Sequence, residues 1–163
     1  MALSLSARLG SERIKSCFAL YPAAHLTHPE RLDTVMGCVS DKFRSGVVIP
    51  HWCMKLFINA YTTPGTDMND PRLSPMFYDA SKFPKYVAVA CGDADTLYRM
   101  SFDLMKKISG SASGTNVDGS RKFICVLNEA HEFNTFGRTR ASQEERDRVE
   151  GEAINMIRAS WRQ

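Results

Sequence analysis

Three short runs of apolar residues stand out along the chain, and each predicts a buried β-strand. They cover residues 14–21, 86–92 and 122–128, with Pro22 directly after the first run and Gly92 closing the second. Continuous apolar runs of this length are typical of parallel strands, because both faces of a parallel sheet are covered. The pattern therefore predicts a sheet of about three parallel strands.

Helical periodicity occupies the segments around these strands. Residues 1–9 are rich in leucine and alanine and end at Gly10, which predicts a helix with a glycine after its last turn. Ser142 and Glu145 form a capping box that predicts the start of a terminal helix. A third helix is predicted after the second strand, from residues near one helical face: Leu97, Ser101, Leu104, Met105 and Ile108. Helices combined with parallel strands indicate the α/β class.

Two connections have patterns of their own. Residues 23–63 are irregular and partly helical, with a proline at position 50 suited to a first helical turn. Residues 109–120 are rich in glycine and serine, so their composition predicts a flexible, exposed loop. The second half of the first connection carries a predicted apolar stripe: Trp52, Leu56, Phe57, Ala60 and Tyr61.

Composition places the chain among ordinary globular proteins and changes the picture little. Its 163 residues suffice for a single domain over residues 1–163, with 44% hydrophobic and 24% charged residues. No apolar run approaches the roughly 20 residues that span a bilayer. We recognise no secretory signal, and the five cysteines form no C-x-x-C pair, which argues against a disulfide framework or a zinc site. A reducing compartment, and hence a cytoplasmic protein, is the expectation.

The net charge of +3 gives no reason to expect a nucleic-acid partner. The densest basic group alternates with Glu144, Glu145 and Asp147, which is typical of a solvated helix face. That group comprises Arg138, Arg140, Arg146 and Arg148.

Candidate chemistry lies where the second and third strands end. Asp93 and Asp95 follow the second strand, and His131 follows the third. Because the carboxyl ends of parallel strands meet at one edge of a sheet, an acid and a histidine can come together there. Such a pair suits general-base catalysis, with the carboxylate orienting the imidazole. The alternative for Asp95 is a structural one, as the N-cap of the following helix.

Three motifs in order resemble the hormone-sensitive-lipase-like α/β-hydrolases, the fold-3 esterases and lipases. They are Asp70-Pro71-Arg72-Leu73-Ser74-Pro75, the run from Val87 to Leu97 that contains Asp95-Thr96-Leu97, and the segment from Asn128 to Asn134 that contains His131; Tyr21-Pro22 also matches. The resemblance implies a partial α/β-hydrolase fold with residues 23–63 as a cap or lid. It implies Asp95 as the triad acid, Asp93 as the second choice, and His131 as the triad base.

Departures from this family pattern limit what the chain can do. The G-x-S-x-G motif of the nucleophilic serine and the H-G-G-G oxyanion loop are both missing from the 163 residues. The nearest match, Gly110-Ser111-Ala112-Ser113-Gly114, has alanine at the nucleophile position, and Glu132 replaces the glycine that follows the family's histidine. We therefore expect a C-terminal hydrolase fragment that is inactive alone. With the strand over residues 14–21 as an exposed edge, it should be marginally stable, aggregate, or self-associate through that edge.

Two functions from different classes remain open at this stage. The first is a serine carboxylesterase or lipase whose complete form hydrolyses small apolar esters without a cofactor. The second is a non-catalytic hydrolase-like module that binds a partner chain or a small apolar ligand beneath Trp52, Leu56 and Phe57. A metal-dependent hydrolase using His25, His28 and His51 is the least favoured, because no further ligand cluster accompanies them.

Overall fold

A computed structural model describes residues 2–136 and 139–162 of the chain. Its strands are β1 (Ser16–Leu20), β2 (Tyr86–Gly92) and β3 (Arg121–Val126), which form one parallel sheet in the order β1-β2-β3. The prediction of an α/β fold with three parallel strands is thus confirmed. All three strands end at the same edge of the sheet.

The central strand β2 contributes buried side chains to the hydrophobic core on both faces of the sheet. Val87 and Val89 face one layer of packed side chains, and Ala88 and Ala90 face the other, since successive side chains of a strand point to opposite faces. All four are completely buried, which is why this strand reads as a continuous apolar run.

Helices cover both faces of the sheet. Helices α1 (Ala2–Leu9) and α4 (Tyr98–Ser109) pack on the face of Val87 and Val89. The long α6 (Arg140–Trp161), which follows the short α5 (Phe133–Phe136), packs on the other face. The apolar face predicted for α4 is confirmed, because every member of the set is buried: Leu97, Ser101, Leu104, Met105 and Ile108.

Residues 23–63 lie between β1 and the loops that lead to β2. They contain a 3₁₀ turn (Pro29–Arg31), α2 (Leu32–Val35) and α3 (His51–Tyr61). The stripe predicted on α3 does not mark its buried face. Met54 and Ile58 are the buried side chains, whereas Trp52 (68% exposed) and the four other residues of the stripe are exposed. Apolar residues occur on more of the α3 surface than the face that packs. The role of residues 23–63 as a cap stays a prediction.

The start of α6 corrects the predicted capping box. The N-cap is Thr139, whose hydroxyl accepts a hydrogen bond from the Ser142 amide. Ser142 lies in the first turn, completely buried, and donates its own hydroxyl to Glu129. The predicted cap lies three residues too late. Ser142 has a hydroxyl that could cap a helix, but that hydroxyl binds Glu129 instead.

Other surface predictions can be compared with the structure. Arg140 pairs with Glu144 and Arg148 with Glu145 on the solvated side of α6, while Arg138 lies outside the described residues. In the predicted flexible loop, Gly114 packs against Phe102, so that segment is only partly exposed. None of the described helices is long and apolar enough to cross a membrane.

Candidate active site

Asp95 and His131 lie in direct contact at the carboxyl edge of the sheet. The Oδ2 atom of Asp95 is 2.9 Å from Nδ1 of His131, and the aspartate is completely buried. The imidazole retains 15% of its side-chain exposure, so it connects the buried carboxylate with the surface. The structure therefore brings together the two residues that the sequence placed at the ends of adjacent strands.

The two carboxylate oxygens of Asp95 have separate partners. Oδ1 accepts a hydrogen bond of 2.8 Å from the Leu97 amide, and Oδ2 faces the imidazole. The N-cap position of α4 is Leu97, not Asp95. The N-cap alternative for Asp95 is therefore wrong, although one of its oxygens bonds to a backbone amide just before the helix while the other faces the histidine.

Asp93, the second choice for the acid, has different partners. Its Oδ1 atom accepts a hydrogen bond of 2.7 Å from the Asn128 amide, and its carbonyl accepts from the amides of Val39 and Ser40. These bonds tie the loop after β2 to the loop after β3 and to residues 39–40. Asp93 thereby supports the site through the backbone.

Two close backbone approaches hold the loop that carries His131. The amide of His131 donates to the Val47 carbonyl at 3.0 Å, and the Val47 amide donates back at 2.8 Å. Gly46 has φ +92°, and a Cβ there would lie 2.4 Å from the His131 carbonyl oxygen. A Cβ on Gly92 would lie 2.0 Å from the Glu129 carbonyl oxygen. Glycine at both positions lets the loop lie against the sheet end.

The structure also places a fully buried carboxylate two residues before His131. Glu129 accepts hydrogen bonds from the hydroxyls of Ser45 and Ser142, and its Oε1 is 3.1 Å from the Arg44 guanidinium. Sequence reasoning missed this residue, since its partners are 84 and 13 positions away. A glutamate at the end of an apolar run was the only local signal.

This arrangement fixes one histidine tautomer. A carboxylate can only accept, so the proton between Asp95 and His131 belongs to Nδ1, and Nε2 is left unprotonated in the neutral ring. An imidazole held in this way can take a proton through Nε2 and pass it on.

Two serines and one cysteine of the described chain are poor candidates for the nucleophile. Ser111 and Ser113 contact one another at 2.9 Å in the loop that leads into β3, at the opposite edge of the sheet from His131. Burial raises the pKa of the Cys91 thiol well above its usual value, so that thiol stays protonated.

A large cavity opens beside His131. It measures about 840 Å³, and most of its walls are apolar. Phe57, Ile58 and Tyr61 of α3 form part of the wall, whereas Trp52 and Leu56 do not. Of the three residues predicted to cover a ligand, Trp52, Leu56 and Phe57, only Phe57 lines this cavity. The imidazole is at the edge of this space.

The histidines considered for a metal site are dispersed among other contacts. His25 packs edge-on against Phe77, and His51 pairs with Asp33. Across residues 2–136 and 139–162, no group of three or more potential ligands comes together.

Comparisons with known proteins agree with this architecture. A family model described as the α/β-hydrolase fold matches residues 1–134. A carboxyl esterase 2 from the mycorrhizal fungus Tuber melanosporum superposes with a TM-score of 0.55 at 14% identity. The match covers 98% of this chain and 48% of the fungal esterase chain. Brefeldin A esterase, a bacterial homologue of human hormone-sensitive lipase, superposes with a TM-score of 0.60 at 19% identity. The match covers 96% of this chain and 45% of the esterase chain. The chain thus spans less than half the length of these structures. No curated protein matches the sequence.

Proposed function

Because this chain belongs to the α/β-hydrolase-fold family, we propose that it supplies the acid and the base of the catalytic triad of a carboxylic ester hydrolase. The observation that carries the proposal is the contact of 2.9 Å between Asp95 and His131 at the edge of an apolar cavity of about 840 Å³. Asp95 is the triad acid and His131 the general base.

The chemistry follows from the tautomer. Nε2 of His131 takes the proton of a serine hydroxyl as the serine oxygen attacks the ester carbonyl carbon. The same proton then goes to the departing alcohol as the C–O bond breaks, which leaves an acyl-enzyme. Water, deprotonated by Nε2 in turn, releases the carboxylic acid and restores the serine. Throughout, the negative charge of Asp95 stabilises the imidazolium.

The serine is proposed to lie outside these 163 residues. They contain no G-x-S-x-G motif, and the chain spans less than half of the structures it resembles. Without a nucleophile and oxyanion donors, the chain alone is expected to have no more than background activity, since losing one donor alone costs about a hundredfold to a thousandfold.

The walls of the cavity support small, apolar ester substrates. Apolar side chains such as Leu26, Ile49 and Met54 line it; the charged side chains among the described lining residues are Arg8 and Arg72, with no acidic residue. A cavity of this size lies within the range that binds small molecules. The acyl group would bind there, with the ester carbonyl close to His131.

The decisive experiment compares two polypeptides. The first is this chain, and the second, the extended chain, also contains the residues encoded in frame before Met1. We expect a G-x-S-x-G motif in that added segment, hydrolysis of p-nitrophenyl butyrate by the extended chain, and labelling of its serine by a fluorophosphonate probe. Labelling of the 163-residue chain itself, or a reading frame without the motif, would contradict the proposal.

A non-catalytic module that binds a small apolar ligand is the second candidate. The observation that favours it is that the cavity exists within this chain, with mostly apolar walls from residues 4–131. Binding of a neutral apolar ester analogue to the 163-residue chain, together with an inactive extended chain, would support this alternative over the triad.

We further propose that the chain self-associates through the open edge of β1. Within the described sheet β1 has one neighbour, β2, and the Tyr21 amide already bonds to the Ala90 carbonyl on that side. Amides of alternate residues, such as Phe18 and Leu20, therefore point away from β2 and are open to another strand. We expect an apparent mass that rises across a concentration series in sedimentation. A monomer with one steep melting transition would show that the edge is not used.

A further inference from the structure

Strained backbone is concentrated around the Asp95–His131 pair. Among the described residues, the non-glycine residues with positive φ are Tyr21 (35°), Asn128 (58°) and Glu132 (57°). Glu132 directly follows His131, the Asn128 amide bonds to Asp93, and the Tyr21 ring contacts His131. Asparagine adopts a left-handed conformation comparatively often, whereas for tyrosine and glutamate it is unfavourable and persists only where the surroundings impose it.

Tyr21 is the most unusual of the three residues. It precedes Pro22, and a residue before proline normally adopts an extended conformation. Its amide donates to the Ala90 carbonyl at 2.7 Å, so the chain is still hydrogen-bonded to β2 directly after the last residue of β1. The positive φ then turns the side chain toward the carboxyl edge of the sheet, where it lines the cavity together with His131.

Both parts of the Tyr21 side chain are fixed. Its hydroxyl donates a hydrogen bond of 2.7 Å to Oδ1 of Asn134, and its ring meets Phe133 edge-on at 6.1 Å. Burial, and after it the negative charge of Glu132, raises the pKa of the Tyr21 phenol. The phenol therefore stays neutral at ordinary pH and remains a donor to Asn134.

The ring of Tyr21 lies against the imidazole. The two ring centroids are 4.4 Å apart, with an angle of 60° between the planes. Asp95 holds the imidazole at Nδ1, and a single hydrogen bond would leave the ring free to swing about it. The tyrosine ring supplies a second contact, and an aromatic ring at this distance also attracts a cationic imidazolium.

We propose that Tyr21 is a positioning residue for His131, which holds the imidazole plane so that Nε2 faces the cavity. With the positive φ of Tyr21 at the end of β1, its ring lies 4.4 Å from the imidazole. The inference rests on the proposed function insofar as it concerns catalysis. The restraint on the imidazole itself can be measured in the 163-residue chain, with no need for enzymatic activity.

The first experiment measures the imidazole in the 163-residue chain by nitrogen-15 NMR. In Tyr21→Leu we expect the Nδ1 proton of His131 to exchange with water about tenfold faster, since one of its two restraints is gone. Tyr61→Leu, the same chemical change on the α3 wall of the cavity, should leave this exchange unchanged. Unchanged exchange in Tyr21→Leu, with the protein folded by circular dichroism, would overturn the proposal.

Two further variants separate positioning from stability. Tyr21→Phe keeps the ring and removes only the hydroxyl that binds Asn134, so a smaller rise in exchange is expected. Tyr21→Gly relieves the positive φ while it removes the ring, so the exchange should rise although the backbone strain is gone. If the exchange follows the melting temperature across all the variants, Tyr21 has only a structural role and the proposal fails.

The second experiment uses the extended chain and its ester hydrolysis. Tyr21→Leu should lower kcat by about tenfold to a hundredfold with little change in KM, because the base is misplaced. An equal loss of kcat/KM that comes only from a higher KM, with kcat unchanged, would contradict a positioning role. If the unsubstituted extended chain has no activity, the proposed function fails, while the NMR experiment still decides whether Tyr21 restrains His131.

Discussion

Asp95→Asn in the extended chain should reduce kcat by about ten-thousandfold and leave the fold intact, because the substitution reverses the histidine tautomer. The reason lies in the separate partners of the two carboxylate oxygens. The Leu97 amide needs an acceptor, so the oxygen of the new asparagine stays with that amide. Its NH₂ group then faces Nδ1 of His131, where the carboxylate was.

A donor in that place changes the imidazole itself. Nδ1 must become the acceptor, the proton moves to Nε2, and the atom that should take the serine proton is already protonated. The measurement is the kcat for p-nitrophenyl butyrate, together with nitrogen-15 shifts of His131 in the 163-residue chain. These shifts should report a proton on Nδ1 before the substitution and on Nε2 after it.

Asp93→Asn is the matched control for this prediction. Asp93 also uses one oxygen for a backbone amide, that of Asn128, and an asparagine oxygen can accept the same bond. We therefore expect kcat and the His131 tautomer to change little. If Asp93→Asn is the variant that removes activity and Asp95→Asn is tolerated, Asp93 is the triad acid and our assignment is wrong.

Glu129→Ala should destabilise the chain by about 3–5 kcal/mol, the largest stability effect that we expect from a single polar residue. The substitution leaves the Ser45 and Ser142 hydroxyls without their shared acceptor and the Arg44 guanidinium without its counter-charge. Arg44 is 36% exposed and can turn toward water, which favours the lower end of this range. The affected contacts join residues 44–45, the loop before His131 and the first turn of α6.

Thermal and urea unfolding measure this effect. A loss of about 3 kcal/mol should lower the melting temperature by roughly 10 °C in a chain of this size. Glu144→Ala serves as the control, because Glu144 pairs with Arg140 on the exposed side of α6 and should change stability by no more than about 0.5 kcal/mol. Similar losses of stability in both variants would mean that the buried contacts of Glu129 stabilise the chain no more than an exposed ion pair does.

Parts of the fold and of the site were accessible from sequence because their signals are local. The apolar run around Val87 to Ala90 is buried on both faces, so it predicted the central strand with no knowledge of its neighbours. The periodicity of α4 likewise reports one buried face. A rule of topology, that parallel strands end at one edge of the sheet, placed Asp93, Asp95 and His131 together, and the resemblance to the hydrolase family selected Asp95 as the acid.

The rest depended on contacts between distant residues, which no local pattern contains. Thr139 rather than Ser142 caps α6 because Ser142 is engaged by Glu129, and Trp52 is exposed because α3 packs through Met54 and Ile58. The sequence by itself determined the α/β class, the order of strands and helices, and that two aspartates and a histidine emerge at one sheet edge. Only the tertiary structure decided that Asp95 divides its oxygens between Leu97 and His131, that a tyrosine ring restrains the imidazole, and that Glu129 is buried. These arrangements join side chains 13 to 113 positions apart, and such pairs meet only after the sheet and its loops have folded together.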